Sequence, residues 1–345
     1  MPLPAAGSMQ QTLQIQRPFR LESGQELKGL EIAYHLSGDP TLRDRPLVWV
    51  FHALTGNSKP SDWWGGIVGP GKVLDPEHAV IVCANMIGSC YGSTGPTSIN
   101  PLTGKPWLRD FPLVTVRDMV KAHALLRDHL GIRHIDLAIG SSMGAFQGLE
   151  WAIAEPDTIK TLFFIAAGAR CSPWAKAFNE AQRMAIQADP TFFGDDPGGG
   201  RNGLKAARAI GMVSYRSHEA FQKTQADPEN GQTDSFRACS YQQYQGEKLA
   251  RRFNAYAYHA LTKAFDSHDA GRGRGGLKAA LGRITAKTHC ISIASDLLFP
   301  VHEMEEVARL IPGATHRIIE SLYGHDGFLV ENEKLEAIIR DFTFS

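Results

Sequence analysis

Five short runs in this chain are apolar along nearly their whole length: LVWVF at 47–51, AVIVC at 79–83, IDLAI at 135–139, LFFIA at 162–166 and CISI at 290–293. A strand with one wet face alternates apolar and polar residues, so runs like these demand a sheet covered on both faces, as parallel sheets are. Helical patterns separate them. Val116, Met119, Val120, Leu126 and Leu130 fall close to one helical face, and Gly131 follows where a C-terminal cap belongs. Met143, Phe146, Leu149 and Ile153 do the same and run into Pro156, which a helix does not easily pass. Strands alternating with helices predict an α/β architecture with a mostly parallel, doubly wound sheet.

The rhythm breaks over about 171–280. That stretch is richer in Gln, Asn, Asp and Arg, with helical patterns at 175–187, 203–214 and 247–265 and a loose loop at 195–202. It is expected to be a helical lid inserted over one end of the sheet. The core domain would then comprise 16–170 and 281–345, closed by a helix from about 332 to 342, with 1–15 a disordered N-terminal segment. A length of 345 residues suits one large α/β domain with an insertion, and 43% hydrophobic residues suffice for a full core.

Composition also excludes partners. The 36 basic and 36 acidic residues cancel, so nothing electrostatic argues for nucleic acid or a membrane surface. No apolar run approaches the roughly 18 residues of a spanning helix. The start MPLPAAGSMQQTLQ lacks the basic and apolar regions of a signal peptide. Five cysteines without a CxxC pair suggest reduced thiols, hence a cytoplasmic protein. Two motifs are decoys. GIVGPGK at 66–72 imitates a phosphate-binding loop but continues with Val73 where a Ser or Thr is needed, and GRGRGG at 271–276 follows polar residues instead of a strand.

The segment IGSSMGA at 139–145 has the spacing of a nucleophile elbow, in which a strand turns so sharply into a helix that the positions two before and two after the nucleophile must be small. Ser142 has Gly140 and Gly144 there, whereas Ser141 would have Ile139 and Met143. Ser142 is therefore the candidate nucleophile. Such an elbow calls for an acid after a late strand and then a histidine before the last helix. Asp296 directly follows the strand-like 290–294, and His325 lies in GHDG between the strand-like 317–319 and the final helix. In that arrangement His325 is the general base, and Asp296 fixes its tautomer and stabilises its cation. The oxyanion hole is expected from the backbone N–H of Met143 and of Leu54, in the loop leaving 47–51. His52 reads as a packed residue at a strand end.

These residues and several longer motifs together resemble the homoserine O-acyltransferase family of α/β-hydrolase-fold enzymes. The motifs are HALTG at 52–56, GPGK at 69–72, CYGSTGPTSINPLTGKP at 90–106, FPLVTVRDMV at 111–120, AFNEAQRMAIQADP at 177–190, SDLLFP at 295–300 and YGHDGFL at 323–329, and the similarity spans about 16–342. At the elbow the commoner family pattern is GGSMGG; here Ser141 and Ala145 replace two glycines, leaving both crowded positions intact. The resemblance implies transfer of an acyl group, by default acetyl from acetyl-CoA, to the hydroxyl of L-homoserine in methionine biosynthesis. It implies a ping-pong route through acylated Ser142, with no bound cofactor or metal. By the same resemblance Arg208 would bind the substrate carboxylate, Asp326 its ammonium, and Tyr215 would reach the substrate. A homodimer formed through the lid helices is implied as well. Succinyl-CoA as donor, serine as acceptor, or an esterase or thioesterase with the same triad remain open on these residues, and a non-catalytic sensor of this fold would have lost part of the triad.

Overall fold

The computed structural model describes residues 9–39, 44–228 and 231–343. The chain opens with β1 (Gln11–Ile15), β2 (Phe19–Arg20), β3 (Glu26–Leu27) and β4 (Leu30–Ser37), and continues through β5 (Leu47–Phe51) and β6 (Val80–Ala84). Then come α1 (Val116–His129), β7 (Ile135–Ser141), α2 (Met143–Ala154) and β8 (Ile159–Ile165). Six helices precede the next strand: α3 (Pro173–Gln187), α4 (Arg201–Tyr215), α5 (His218–Gln225), α6 (Arg237–Ala250), α7 (Ala255–Asp266) and α8 (Leu277–Leu281). The chain closes with β9 (Lys287–Ile293), α9 (Val301–Leu310), β10 (Thr315–Ile319), α10 (Gly327–Val330) and α11 (Asn332–Thr343).

Eight strands form one sheet in the order β1-β4-β6-β5-β7-β8-β9-β10. Pairing is parallel from β6 to β10 and antiparallel where β4 and β1 close one edge. From β5 the chain steps outward to β6 and then crosses to β7 on the other side. The carboxyl ends of β5 and β7, paired through Phe51 and Gly140, therefore flank the crevice where open α/β sheets take ligands.

Both faces of the sheet are buried, for the reason the apolar runs gave. Trp49 and Phe51 of β5 pack toward Phe146, Leu149 and Trp151 of α2, while Val48 and Val50 face the opposite layer with Phe163, Leu335 and Ile339. At the end of α1, Gly131 takes φ +67°, the left-handed conformation a helix-terminating glycine adopts without strain.

Three expectations need correcting. Residues 1–8 of the expected disordered segment lie outside the described residues, but 11–15 form β1, held along its length by antiparallel pairing to β4. The single helical pattern at 247–265 is two helices, because Asn254 leaves helical geometry and caps α7, its Oδ1 accepting from the Tyr256 and Ala257 amides at 2.9 and 3.2 Å. Helices α5 and α6 were not foreseen over most of their length, their solvated faces giving little apolar periodicity.

The two decoy motifs are structural. Arg272 and Arg274 of the glycine-rich loop reach Glu22 and the buried Glu150, and Arg117 of α1 joins both acids, tying the start of the chain to α2. In the loop at 69–72 the Lys72 amide donates to Gly69 O at 3.0 Å and the Gly71 amide to Asp75 Oδ2 at 2.5 Å, a tight turn whose amides are spent within the protein.

Candidate active site

The sharp turn between β7 and α2 sets the site. Ser142 sits there at φ +53°, ψ −127°, a conformation that L-residues rarely adopt, with its amide donating to Ile165 O of the neighbouring strand at 3.0 Å. A Cβ on Gly140 would come within 2.6 Å of the Gly144 carbonyl group, and one on Gly144 within 2.3 Å of Phe51 O. The two glycines are thus fixed by backbone crowding. Ser141 ends β7 with its hydroxyl fully buried and without a hydrogen-bond partner among the described residues, so no base is in place to activate it.

Two loops from the same end of the sheet complete the arrangement. Beyond β9 the chain turns through Asp296, whose Oδ1 accepts from the Leu298 and Phe299 amides at 2.8 and 2.9 Å, leaving Oδ2 for His325 Nδ1 at 2.7 Å. His325 Nε2 lies 2.9 Å from Ser142 Oγ. Because Asp296 is an acceptor, Nδ1 carries the proton, and Nε2 is left to accept from the serine hydroxyl. All three side chains are buried. Burial pulls the imidazole pKa down, but the charge and hydrogen bond of Asp296, with the charge of Asp326, outweigh it and leave His325 above its ordinary value.

The loop after β5 faces the same point. His52 donates from Nδ1 to Ala53 O at 2.9 Å and accepts at Nε2 from the Met86 amide at 3.1 Å, and burial pushes its pKa down to about 4. It is a neutral strut that fixes the loop. Leu54 follows it and lines a small cavity, about 130 Å³, together with Ser142, His325, Arg208, Tyr215 and Asp326. Met143 is the first residue of α2, so its N–H belongs to the first turn, which has no intrahelical acceptor.

The residues expected to bind substrate converge there. Arg208 and Tyr215 lie on α4, the guanidinium 5.3 Å from the ring centre, and no carboxylate pairs with Arg208 among the described residues. Tyr215 packs its ring 5.8 Å from that of His325. Asp326 faces the cavity but has a partner the sequence did not suggest: Arg216 Nε lies 3.1 Å from its Oδ2. Arg252 was missed as well. It donates to Thr55 O at 2.6 Å and to the Tyr91 hydroxyl at 2.9 Å, fastening the α6–α7 junction to the loop that bears Leu54. Neither arginine carries a motif that could have distinguished it. Trp63, also on the cavity wall, is stacked on Trp64 and held by its indole N–H on Asn57 O at 2.9 Å.

The arrangement can activate a serine hydroxyl, stabilise an oxyanion and hold a zwitterion between a cation and an anion. A larger cleft of about 490 Å³ beside α1 is lined by charged residues such as Arg274 and Glu150 but by no serine, histidine or cysteine. Asp75, Glu77 and His78 come close enough to chelate, but Asp75 already accepts from two backbone amides.

Residues 46–332 match the family model of the α/β hydrolase fold. The chain is 44% identical over 333 residues to homoserine O-acetyltransferase of Cyclobacterium marinum, covering 96% of this chain and 95% of that one. Among solved structures, homoserine O-acetyltransferase from Staphylococcus aureus superposes with a TM-score of 0.80 at 28% identity, covering 97% of this chain and 94% of that one. Esterase E22 superposes with a TM-score of 0.87 at 23% identity over 97% and 99% of the two chains, a likeness of fold.

Proposed function

This chain belongs to the homoserine O-acetyltransferase family of the α/β hydrolase fold, and from that premise we propose that it transfers an acetyl group from acetyl-CoA to the hydroxyl of L-homoserine. The observation that carries the reading is the placing of two countercharges, Arg208 and Asp326, in the same small cavity as the Ser142–His325–Asp296 relay. An esterase of simple acyl groups has no need of that clamp.

In the first half-reaction Ser142 Oγ attacks the thioester carbonyl while His325 Nε2 takes its proton. The oxyanion is met by the Leu54 and Met143 amides, each worth about 3 kcal/mol by analogy with measured donors. Collapse expels the CoA thiolate, which takes the proton from His325, leaving acetyl-Ser142. In the second half-reaction the homoserine hydroxyl gives its proton to His325 and attacks that ester; Ser142 is reprotonated as O-acetylhomoserine leaves. Arg208 would pair with the substrate carboxylate, Asp326 with its ammonium, and Tyr215 would close the wall beside them. The helices of 171–280, which carry Arg208 and Tyr215, would act as a lid.

Release of O-acetylhomoserine into methionine biosynthesis fits a cytoplasmic enzyme, and no helix among the described residues is long and apolar enough to cross a membrane. Exposed Trp174 and Met184 on α3, Val213 on α4 and Tyr244 on α6 support a homodimer through these helices. The test follows free thiol from acetyl-CoA with and without L-homoserine, then with succinyl-CoA and with L-serine. Homoserine-dependent release that Ser142→Ala abolishes is the expected result. Release indifferent to any amino acid would make the protein a thioesterase and remove the roles given to Arg208 and Asp326.

A further inference from the structure

The end of α4 is clasped onto the loop that carries the catalytic histidine. Ser217 donates its hydroxyl to Leu322 O, and Tyr215 packs against the His325 ring. Gly324, at φ +66°, lets the two backbones meet: a Cβ there would lie 2.8 Å from Tyr215 O and from the Ser217 amide. At the centre of this clasp Arg216 sits 5.7 Å above the Tyr323 ring and 3.1 Å from Asp326 Oδ2, both side chains largely shielded from water. The approach is close, yet the buried Nε–H has no hydrogen-bond acceptor in line with it. The contact is an ion pair at Oδ2, and Oδ1 has no hydrogen-bond partner among the described residues, so the carboxylate keeps acceptor capacity.

We infer that Arg216 is a positioning residue of the transfer site: it fixes Asp326 toward the cavity with its acceptor capacity unspent, and it partly cancels the negative charge that Asp326 places beside His325. This rests on the reading that Asp326 receives the substrate ammonium. Removing Arg216 has two separable consequences. Asp326 stays beside His325 but loses the contact that aims its oxygens, so homoserine binds less well. Its uncompensated charge also favours protonated His325 more strongly, so the base is lost at a higher pH. The other groups around His325 and Asp326 are Asp296 from the β9 loop, Arg208 and Tyr215 from α4, Arg252 from the α6–α7 junction, Tyr323 of the loop that carries His325, and Tyr258 of α7, which is hydrogen-bonded to Tyr215. None of these changes when Arg216 is replaced.

The test compares Arg216→Ala, Arg216→Lys, Asp326→Asn and the double variant Arg216→Ala/Asp326→Asn. It measures the thiol burst from acetyl-CoA without acceptor, KM and kcat for homoserine, the pH profile of kcat/KM and the melting temperature. Arg216→Ala is expected to raise KM for homoserine on the order of tenfold, the scale of one misplaced charged contact. The acidic limb of the profile should move up by roughly one pH unit, the scale on which one neighbouring charge shifts a titrating group. Arg216→Lys should restore the limb, and in the Asp326→Asn background Arg216→Ala should move neither KM nor the limb. An unmoved limb in Arg216→Ala, or effects of the two substitutions that simply add, would overturn the inference. Absence of homoserine-dependent release in the parent protein would instead overturn the acetyltransferase reading. Should Arg216→Ala fail to fold, Arg216→Gln carries the same comparison.

Discussion

Replacing Gly144 by Ala tests whether backbone crowding at the elbow holds the catalytic geometry. A Cβ at 144 would meet Phe51 O at 2.3 Å, Phe51 C at 2.9 Å and His52 O at 3.0 Å, all of them backbone atoms that no rotamer change can move aside. Ordinary contact begins near 3.4 Å, so α2 and the end of β5 must separate by about 1 Å. Overpacking of this kind costs roughly 1–3 kcal/mol, against which the better helix propensity of alanine returns only about 1 kcal/mol. The larger effect falls on catalysis, because Phe51 leads directly into the His52–Leu54 loop and α2 begins with Met143, so the two proposed oxyanion donors move apart. A misplacement near 1 Å costs on the order of 10²-fold in rate. Gly148→Ala, one turn further along α2, is the matched control. Its Cβ would meet only side-chain atoms, Leu162 Cδ1 at 3.0 Å and Phe51 Cε2 at 3.4 Å, and these can yield. Thiol release and denaturant unfolding of both variants decide the matter. Wild-type activity and stability in Gly144→Ala would refute the crowding argument.

Two further predictions rest on buried charge. The His325 pKa is raised in the folded protein, so its stabilising pairing with Asp296 is fully present below the ordinary value of 6.5 and is lost as pH rises through the folded value; catalysis needs the neutral base and so rises over that interval. Asp296→Asn removes the largest raising cause while burial persists, so the acidic limb should shift to lower pH and turnover should fall about 10⁴-fold through the wrong tautomer; a limb left unchanged in a pH–rate profile would contradict the assignment. Glu150 is 2% exposed and shared by Arg274 and Arg117. Arg274→Met leaves only the longer 3.5 Å contact to Arg117, and urea unfolding should show a loss on the order of 3 kcal/mol, with thiol release at low temperature little changed.

Much of the fold was written locally. The runs at 47–51, 135–139 and 290–293 read as strands of a sheet buried on both faces, and G-x-S-x-G between a strand and an amphipathic helix read as a serine at a sharp turn; both are found. The edge strand β1 escaped notice because an edge is half exposed and its apolar signal is diluted. The break between α6 and α7 escaped because Asn254 caps a helix whichever apolar pattern surrounds it.

The sequence by itself determined the order in which Ser142, Asp296 and His325 follow the strands, since each needs only its own strand end and the spacing that a tight turn permits. It could not determine that Arg216 meets Asp326, 110 residues away along the chain, or that Arg252 fastens the loop bearing Leu54. Those contacts exist because the inserted helices dock on the carboxyl end of the sheet. Docking depends on the summed shape and charge of two surfaces, which no single stretch of sequence encodes.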